Sequence, residues 1–538
     1  MHEEDHITSW NRIPESSSLM HGLIPAAGGA TRLGPIGAQL NKALVTIGQK
    51  PAIVRQIQQL IDVGCSDVTV VVSPRMYEQV LEVIERSGLN HFKIRVVVQG
   101  PKDPGGPGGA IFKGTFGLAG SVVVVMADTV LSNEDIPIEP DTASVAPAPS
   151  TRVWAWHNGK KWTETEAPAG TLVSIGAFCF KDVTKLHRVT ATAGGDLSEL
   201  KMATILNELD ELKPALAESW QDIGDLDSLA KTQEQRFNSR SYHQMQVKDG
   251  VLRKTGASDA EKAALLNPPF GLDHLYPRVL AHDDDWYEIE YIDMPSLSEL
   301  WLYWPGLPDT WKHITNKLFD NLEHIWCSSR DSTARDMDSC HMWQTKLQLR
   351  YLRYNTGPNA ADVIAAWDPH DQIIVNSKTL SAGPKMIYAV LAAMKHFVDT
   401  ANLNDATIHG DPFFGNVLFS ARMGYFKFID PRGKWGSTEN SIGDWRYDVG
   451  KIAFSTVMAP ITHGLFECEG QDRVWHLDIL PRREQETAAV DLVIEKRSGL
   501  TRDQISLLKT FFLLSSAPLH SPEEANAMYL SAVLEWNS

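Results

Sequence analysis

The chain has no apolar stretch long enough to cross a bilayer. Its longest apolar run, Val122 to Val130, contains Asp128 and falls far short of the roughly 18 residues a spanning helix needs. Cysteine is scarce: five residues, Cys65, Cys179, Cys327, Cys340 and Cys468, with no C-x-x-C pair. That pattern argues against a disulfide framework or a zinc ribbon and fits a reducing compartment. Positive charge is in deficit, with 50 Lys and Arg against 67 Asp and Glu, a formal net charge of −17. Such a chain is poorly suited to wrapping nucleic acid, although a local pocket can still accept a nucleotide. The opening segment MHEEDHITSWNRIPESSS lacks the basic and apolar regions of a secretory signal. No internal repeat is present, and nearly all of the 18 histidines read as solvated or hydrogen-bonded side chains. These absences predict a cytoplasmic protein with no membrane span and no nucleic-acid partner. They leave room for a homo-oligomer.

What is present is globular. Hydrophobic residues make up 43 % and charged residues 22 %, close to an ordinary soluble protein, which excludes disorder as the main state. The 538 residues exceed the roughly 100–200 of one domain, so two or more domains are expected. After a polar leader (1–19), β-rich runs alternate with helical patterns up to about 235. Ile53, Val54, Ile57, Leu60 and Ile61 recur at helical spacing and Gly64 ends that helix. Val68 to Val72 is an unbroken β-branched run, as in a strand buried on both faces. Tyr77 to Ile84 reads as helix; Ile94 to Val98 and Ser121 to Met126 read as strands. The alternation predicts a doubly wound α/β domain over 20–235. Asp141 to Ser150, DTASVAPAPS, reads as a surface loop. Beyond 236, Gln246 to Lys254 and Trp286 to Ile292 read as short antiparallel strands. Asp283, Asp284 and Asp285 form a solvated turn before the second. Helical patterns dominate from Ser296 to about Thr400, broken by a polar stretch at Ser328 to Ser339. Val417 to Phe419 and Tyr425 to Ile429 form a hairpin pattern, and the last hundred residues read as helical.

Two constellations carry chemistry. In the first, the small residues Ala26 to Ala30 let a backbone turn approach a phosphate closely, since the N–H groups of such turns bind anions. Arg32 and Lys42 can supply charge to a triphosphate. Asp128 follows the run Val122 to Met126, at the carboxyl end of an expected central strand, where open α/β sheets place their ligands. A carboxylate there suits Mg²⁺, which takes oxygen ligands together with substrate phosphates.

These residues resemble the sugar-phosphate and phosphocholine nucleotidyltransferases, which read G-x-G-T-R and then P-K. The match here is Gly28-Gly29-Ala30-Thr31-Arg32, then Asn41-Lys42. Ala30 stands where that family has glycine, and Asn41 where it has proline. The resemblance implies that Ala27, Gly28 and Gly29 cradle the nucleotide. It implies that Gln99 reads the base and that Gly108 and Gly109 lie beneath it. It makes Asp128 and Asp222, the latter in Trp220-Gln221-Asp222-Ile223-Gly224, the two metal ligands. Val173 to Phe180 matches a later core strand. The implied reaction is attack of a substrate phosphate on the α-phosphorus of an NTP (CTP, GTP, UTP or dTTP). Arg32 would hold the departing pyrophosphate and Lys42 the charge at the α-phosphate.

In the second constellation, Thr407-Ile-His-Gly-Asp-Pro-Phe-Phe-Gly-Asn-Val-Leu-Phe419 sets Asp411 and Asn416 five apart, before Phe428-Ile-Asp-Pro-Arg-Gly433. Asp411 can orient and deprotonate a substrate hydroxyl, while Asn416 and Asp430 supply oxygens to Mg²⁺ on ATP. This pattern resembles the aminoglycoside phosphotransferase and choline kinase superfamily, H-G-D-x-x-x-x-N followed by I-D. It differs from the H-R-D and D-F-G of protein kinases, and so implies a small-molecule acceptor. By the same resemblance Lys254, in Val251-Leu-Arg-Lys254, contacts ATP phosphates and Glu261 is its ion-pair partner. Tyr287 to Tyr291 would be the adenine hinge. Asp448, in the later G-D-x-x-x-D element, would brace the catalytic loop, and His409 would orient it. The implied fold is a two-lobed, protein-kinase-like α+β domain over 236–538, with a smaller lobe at about 236–295.

Other features read more plainly. Trp154, Trp156 and Trp162 pack a sheet or line a pocket, where a sugar could stack. Lys346 and Arg350, one helical turn apart, are either phosphate contacts or solvated side chains. The two constellations imply one route: a kinase makes from a small sugar, polyol or amino alcohol the phosphate that a nucleotidyltransferase then uses. Such NDP- or CMP-activated products feed surface polysaccharide or lipid decoration in the families resembled. The alternative is a small-molecule kinase of aminoglycoside type beside a regulatory or inactive nucleotidyltransferase domain, which an acidic acceptor cleft would favour.

Overall fold

A computed structural model of the chain describes residues 19–29, 31–33, 42–47, 50–85, 87, 89, 92–148, 153–158, 160–168, 170–193, 200–209, 212–224, 244–248, 250–304, 307–328, 341–350, 371–399, 405–436, 441–479 and 483–538. It divides into two units. One comprises 1–28, 53–77 and 90–222; the other comprises 29–52, 78–89 and 223–538.

The first unit is built on a nine-stranded mixed sheet. Along its main path the strands are Trp162–Glu166, Val153–His157, Leu172–Phe180, Ser121–Val125, Met20–Ala26, Asp67–Val72 and Ile94–Val98. The last four run parallel, with Leu23 opposite Val124 on one side and Thr69 on the other. The β-branched residues of Asp67–Val72 and Ser121–Val125 are buried, as expected for strands covered on both faces, whereas those of Ile94–Val98, at the end of the path, are half-buried. Leu23, Val71, Ile111, Val122, Val124, Phe178 and Leu186 share one core. Ala52–Asp62 buries Ile53, Val54, Ile57 and Leu60, and Gly64 stops it at φ +100°.

Half of this sheet departs from the doubly wound expectation. Leu172–Phe180 runs antiparallel to Ser121–Val125 and to Thr142–Pro147. Strands follow one another in this half with connections too short for a parallel crossover. Thr142–Pro147 itself corrects the loop reading of 141–150. Its alanines and serine are small enough to lie buried between Leu172–Phe180 and Lys213–Leu216.

The second unit contains a four-stranded antiparallel sheet in the order Gln244–Lys248, Val251–Thr255, Trp286–Glu290, Val279–His282. The single strand read over Gln246 to Lys254 is therefore a hairpin. Gly250 turns the chain at φ +75°, and the Asp249-Gly250 dipeptide is the signal for such a turn. Among the helices of this unit are Leu297–Tyr303, Pro308–Cys327, Gly383–Asp399, Arg446–Thr462, Glu484–Ser498, Arg502–Ser516 and Pro522–Trp536. Ser296 and Glu299 form a capping box at the start of Leu297–Tyr303. The reading of 296–400 as dominated by helix, and of the last hundred residues as helical, is corrected by a second sheet. Gln372–Val375 and Lys378–Ser381 form one hairpin, Phe466–Gln471 and Val474–Ile479 another, and the two join through a parallel pair. Asn376 and Ser377 both take positive φ, +50° and +65°, the signature of a tight two-residue turn. Of the polar stretch Ser328 to Ser339, all but Ser328 lies outside the described residues.

Candidate functional site

The first unit gathers its candidate residues at the carboxyl edge of the parallel strands. Met20–Ala26 leads into Ala27 and Gly28, Ile94–Val98 into Gln99, and Ser121–Val125 towards Asp128. The turn carrying Asp128 is tied down from two sides. Gln56 Nε2 donates to the carbonyls of Met126 (2.9 Å) and Thr129 (2.7 Å), and Gln59 Nε2 donates to that of Leu131 (2.7 Å). From the sheet, Thr129 Oγ1 donates to Ile175 O at 2.6 Å, and Met126 N to Gly176 O at 2.8 Å. Gly176 sits at φ +87°, where a Cβ would stand 2.8 Å from Thr129 Oγ1. A side chain there would push on the turn.

Asp222 reaches this edge through a short antiparallel pair. Thr129–Val130 pairs with Gln221–Asp222, and Asp222 lies directly opposite Thr129. Backbone register thus sets the two candidate metal ligands, 94 positions apart in sequence (222 less 128), within one step of each other. Asp135 anchors the approach to Asp222, accepting hydrogen bonds from Glu218 N and Ser219 N, both at 2.9 Å. Trp220 meets Trp154 edge-on, ring centroids 5.5 Å apart.

Gln99, Gly108 and Gly109 come together, in a packing role. Gln99 Nε2 donates to Pro104 O at 2.5 Å and Gly106 O at 3.3 Å. A Cβ on Gly109 would lie 1.7 Å from Pro104 O, and one on Gly108 would lie 2.4 Å from Leu200 Cγ. The glycine pair therefore lets the helix Gly106–Thr115 start tight against two loops. Arg32 is exposed in the turn Thr31–Leu33, and Lys42 is half-buried at the start of Lys42–Leu44. Both, with Gly29, fall in the second unit. Ala30 and Asn41 lie outside the described residues.

The second unit assembles its candidates by side-chain contact. Lys254, on the strand Val251–Thr255, reaches Glu261 Oε1 at 2.7 Å and Asp430 Oδ1 at 3.0 Å. Burial would lower its pKa; the Asp430 and Glu261 carboxylates override that and hold it above the ordinary value. Ser258 caps the helix Asp259–Leu266 that carries Glu261, and Tyr287 Oη donates to Glu261 at 2.6 Å. Tyr287 is thus a buried strand residue inside Trp286–Glu290, so the stretch read as a hinge is strand as far as Glu290. Asp430 takes φ +53°, and Gly433 follows at φ +67°. A Cβ on Gly433 would stand 1.9 Å from Ala260 O. This close approach holds the Asp430 loop against the Glu261 helix.

Asp411 pairs with Lys451 Nζ at 2.7 Å. Burial would raise the Asp411 carboxyl, but the Lys451 and Arg432 side chains hold it below the usual value, so it is ionised at neutral pH. Asn416 Nδ2 donates to the Asp411 carbonyl at 3.0 Å, leaving its own oxygen as an acceptor. Asp448 takes His409 N at 2.9 Å, Gly410 N at 2.8 Å and Trp326 Nε1 at 3.1 Å. It orients the backbone at His409 and Gly410. His409 Nδ1 accepts from Asp411 N at 3.3 Å, and burial pulls its pKa down to about 4, so the ring is neutral. Beneath the loop Phe414 packs on the buried Trp301 and Trp311, and its N–H donates to Ser455 Oγ at 2.9 Å.

Sequence reasoning missed Lys451. The signal was available: Asp448, Lys451 and Ser455 lie on one face of Arg446–Thr462 at spacings of three and four, and all three meet residues 409–414. It also missed Gly176, although an isolated glycine within a strand pattern marks a close backbone approach. Lys346 is not simply solvated, because it is part-buried and donates to Tyr447 Oη.

Among the described residues no group of three or more His, Cys, Asp or Glu is placed to hold a metal. Each candidate metal position offers two oxygen-bearing side chains, Asp128 with Asp222 and Asn416 with Asp430. That donor set fits Mg²⁺ carried in with phosphates, not an all-protein cage. Among the described residues no helix is long and apolar enough to cross a membrane.

Residues 22–233 match the family described as the MobA-like NTP transferase domain. These residues hold the mixed α/β sheet of the first unit. Similar solved structures include a putative glucose-1-phosphate thymidylyltransferase from Bacillus anthracis in complex with a sucrose. It is 20 % identical, with 41 % of this chain and 96 % of that one covered at a TM-score of 0.35. The CTP:phosphocholine cytidylyltransferase of Streptococcus pneumoniae is also 20 % identical, with 40 % and 98 % covered at a TM-score of 0.33. No curated protein matches the chain.

Proposed function

We propose that the chain is a bifunctional cytoplasmic enzyme. Its C-terminal part (236–538) phosphorylates a hydroxyl of a small molecule with ATP. Its N-terminal part (20–235) transfers a nucleotidyl group from a second NTP to the phosphate so made. The product is an NDP- or CMP-activated precursor of the kind used in surface polysaccharide or lipid decoration.

The kinase reading is carried by one observation: Lys254 joins Glu261 to Asp430 in an ion-paired cluster, within the unit where Lys451 holds Asp411. In that arrangement Lys254 neutralises phosphate charge on ATP. Asp411 orients the acceptor hydroxyl and takes its proton as the oxygen bonds to the γ-phosphorus and the bond to the β-γ bridging oxygen breaks. Asn416 and Asp430 would hold Mg²⁺, which supplies charge neutralisation at the phosphates. Asp448 keeps the loop in register and does not touch substrate. The nucleotidyltransferase reading rests on the family match together with the strand register that sets Asp222 opposite Thr129. There a substrate phosphate oxygen bonds to the α-phosphorus of the NTP and pyrophosphate leaves. No general base is needed, because the nucleophile is already ionised. Arg32 and Lys42 are the candidate contacts to the departing and transferred phosphates.

The test is mass spectrometry of products formed from MgATP and each further NTP over a panel of sugars, polyols and amino alcohols. The expected result is a phosphorylated acceptor that disappears in Asp411→Asn and accumulates without nucleotidylation in Asp128→Ala. Phosphorylation with no NDP or CMP adduct from any pair would refute the coupled reading.

A further inference from the structure

The side chains gathered beside Asp411 carry an excess of positive charge that the phosphotransfer scheme does not use. Tyr447 lies on the helix Arg446–Thr462. Lys346 Nζ and Arg432 Nη1 both donate to its hydroxyl, the arginine at 3.4 Å. Lys451 lies 6.0 Å from the centroid of the same ring while paired with Asp411. Trp343, Trp435 and Phe512 wall the tyrosine in, with centroids 5.2, 5.4 and 4.9 Å away. Three cations thus gather at Tyr447, only one of them paired with a carboxylate, Asp411, in surroundings that screen charge poorly.

The nearby acids are engaged elsewhere, Asp448 with His409 N, Gly410 N and Trp326 Nε1. Glu261 and Asp430 pair with Lys254, and Asp444 pairs with Arg446. Among the described residues no carboxylate pairs with Lys346 or Arg432, and Arg432 Nε is buried without a hydrogen-bond partner. The local field is strong enough to read in the titrating groups. Burial would raise the Tyr447 phenol, yet Lys346, Arg432 and Lys451 bring it down to about 8. Burial lowers the Lys346 ammonium to about 8, and Lys451 and Arg432 push the same way. A pocket built for a neutral polyol has no reason to hold such a group, and one for a cationic aminoglycoside or choline would repel its ligand.

We infer that Lys346, Arg432 and Lys451 form an anion subsite beside Asp411, and that the acceptor is an alcohol that already carries a carboxylate or a phosphate. This rests on the reading of Asp411 as the base that meets the acceptor hydroxyl. The acceptor's anion would be the counter-charge for Lys346 and Arg432, and it would fix which hydroxyl points at Asp411. A reaction that oxidises or phosphorylates the sugar or polyol must then come before this kinase step.

The experiment offers the full-length chain MgATP with three- to six-carbon polyols, each as the neutral polyol, its monophosphate ester and its aldonic acid, beside choline and an aminoglycoside. The anionic member of a set is expected to have kcat/KM at least about tenfold above its neutral parent. Lys346→Met should bring that ratio close to one with KM for ATP unchanged, and Lys346→Arg should restore it. A wild-type preference for neutral or cationic acceptors overturns the inference. So does a Lys346→Met variant that keeps the ratio, or one that raises KM for ATP instead. If nothing is phosphorylated, the kinase reading fails separately, and calorimetric titration of the same anions and inorganic phosphate decides the subsite. Binding abolished in Lys346→Met keeps the subsite, and no binding removes it.

Discussion

The two units position their candidate acids by different means. In the first, Asp128 and Asp222 are set by uncharged devices. These are strand register, two buried glutamines that latch a turn, and a glycine that admits the turn's threonine. In the second, Asp411 and Asp430 are set by ions, Lys451 and Lys254, and Asp448 orients the loop backbone. A site held by backbone register tolerates changes of charge around it and fails when packing changes. A site held by ion pairs tolerates changes of packing and fails when one partner is removed, because a buried charge is then left uncompensated.

The largest effects should separate the two halves. Asp411→Asn should lower phosphorylation by about 10²–10⁴-fold, the usual range for loss of a general base, and leave nucleotidyl transfer to a pre-made phosphate unchanged. Asp128→Ala and Asp222→Ala should do the reverse. Rates for each half-reaction, with the intermediate supplied, check this. A variant that lowers both rates equally would break the comparison.

Next in size is removal of one ion from the second unit. Lys254→Met leaves Glu261 and Asp430 facing each other without their shared cation. It should raise KM for ATP and lower kcat/KM by about a hundredfold, equivalent to about 2.7 kcal/mol. Glu261→Gln should have a smaller effect of the same kind, since Asp430 still holds the lysine. Steady-state kinetics in ATP would reveal it. A Lys254→Met enzyme with unaltered KM would remove Lys254 from the nucleotide site.

The matching test in the first unit uses no charge. Gln56→Leu keeps the helix but leaves the carbonyls of Met126 and Thr129 without their donor. Each unsatisfied buried group costs about 1–3 kcal/mol. A lower unfolding temperature should therefore accompany a loss of nucleotidyl transfer, with phosphorylation kept. Gly176→Val should act in the same direction, through its positive φ and the 2.8 Å approach to Thr129 Oγ1.

How much of this was legible in the sequence follows from the same difference. Asp411, Asn416 and Asp430 sit in a short loop and hairpin, where spacing alone places them. Asp128 was legible because it follows a run of β-branched residues. Asp222 was named by resemblance only, and strand register was needed to bring it alongside. Lys451 escaped because its partner is 40 positions away (451 less 411), and only the helical face it shares with Asp448 points to it. Thr142–Pro147 was misread because alanine, serine and proline have the composition of a loop, whereas here the alanines and serine fill the narrow space between two strands. The hairpins at 372–381 and 466–479 were hidden by short strands among long helices.

The smallest effect tests the ionic side of the comparison most finely. Burial moves two groups at the loop that carries Asp411 in opposite directions: His409 falls from 6.5 to about 4, and Asp448 rises from 3.8 to about 7. Between about pH 4 and 6.5 the unfolded chain holds a proton on His409 that the folded chain lacks, so this group makes stability fall as pH falls. Over nearly the same window the folded chain holds a proton on Asp448 that the unfolded chain lacks, so that group makes stability rise as pH falls. Each slope is at most about 1.4 kcal/mol per pH unit, and the two nearly cancel. Asp448→Asn should expose the His409 slope and His409→Asn the Asp448 slope. Denaturant unfolding at pH 4.5, 5.5 and 6.5, each variant minus the parent, should give differences of opposite sign. Differences of the same sign would mean that Asp448 stays ionised in the fold, held so by the N–H groups of His409, Gly410 and Trp326. The loop would then be anchored by a full charge, and the contrast between the units would be sharper still.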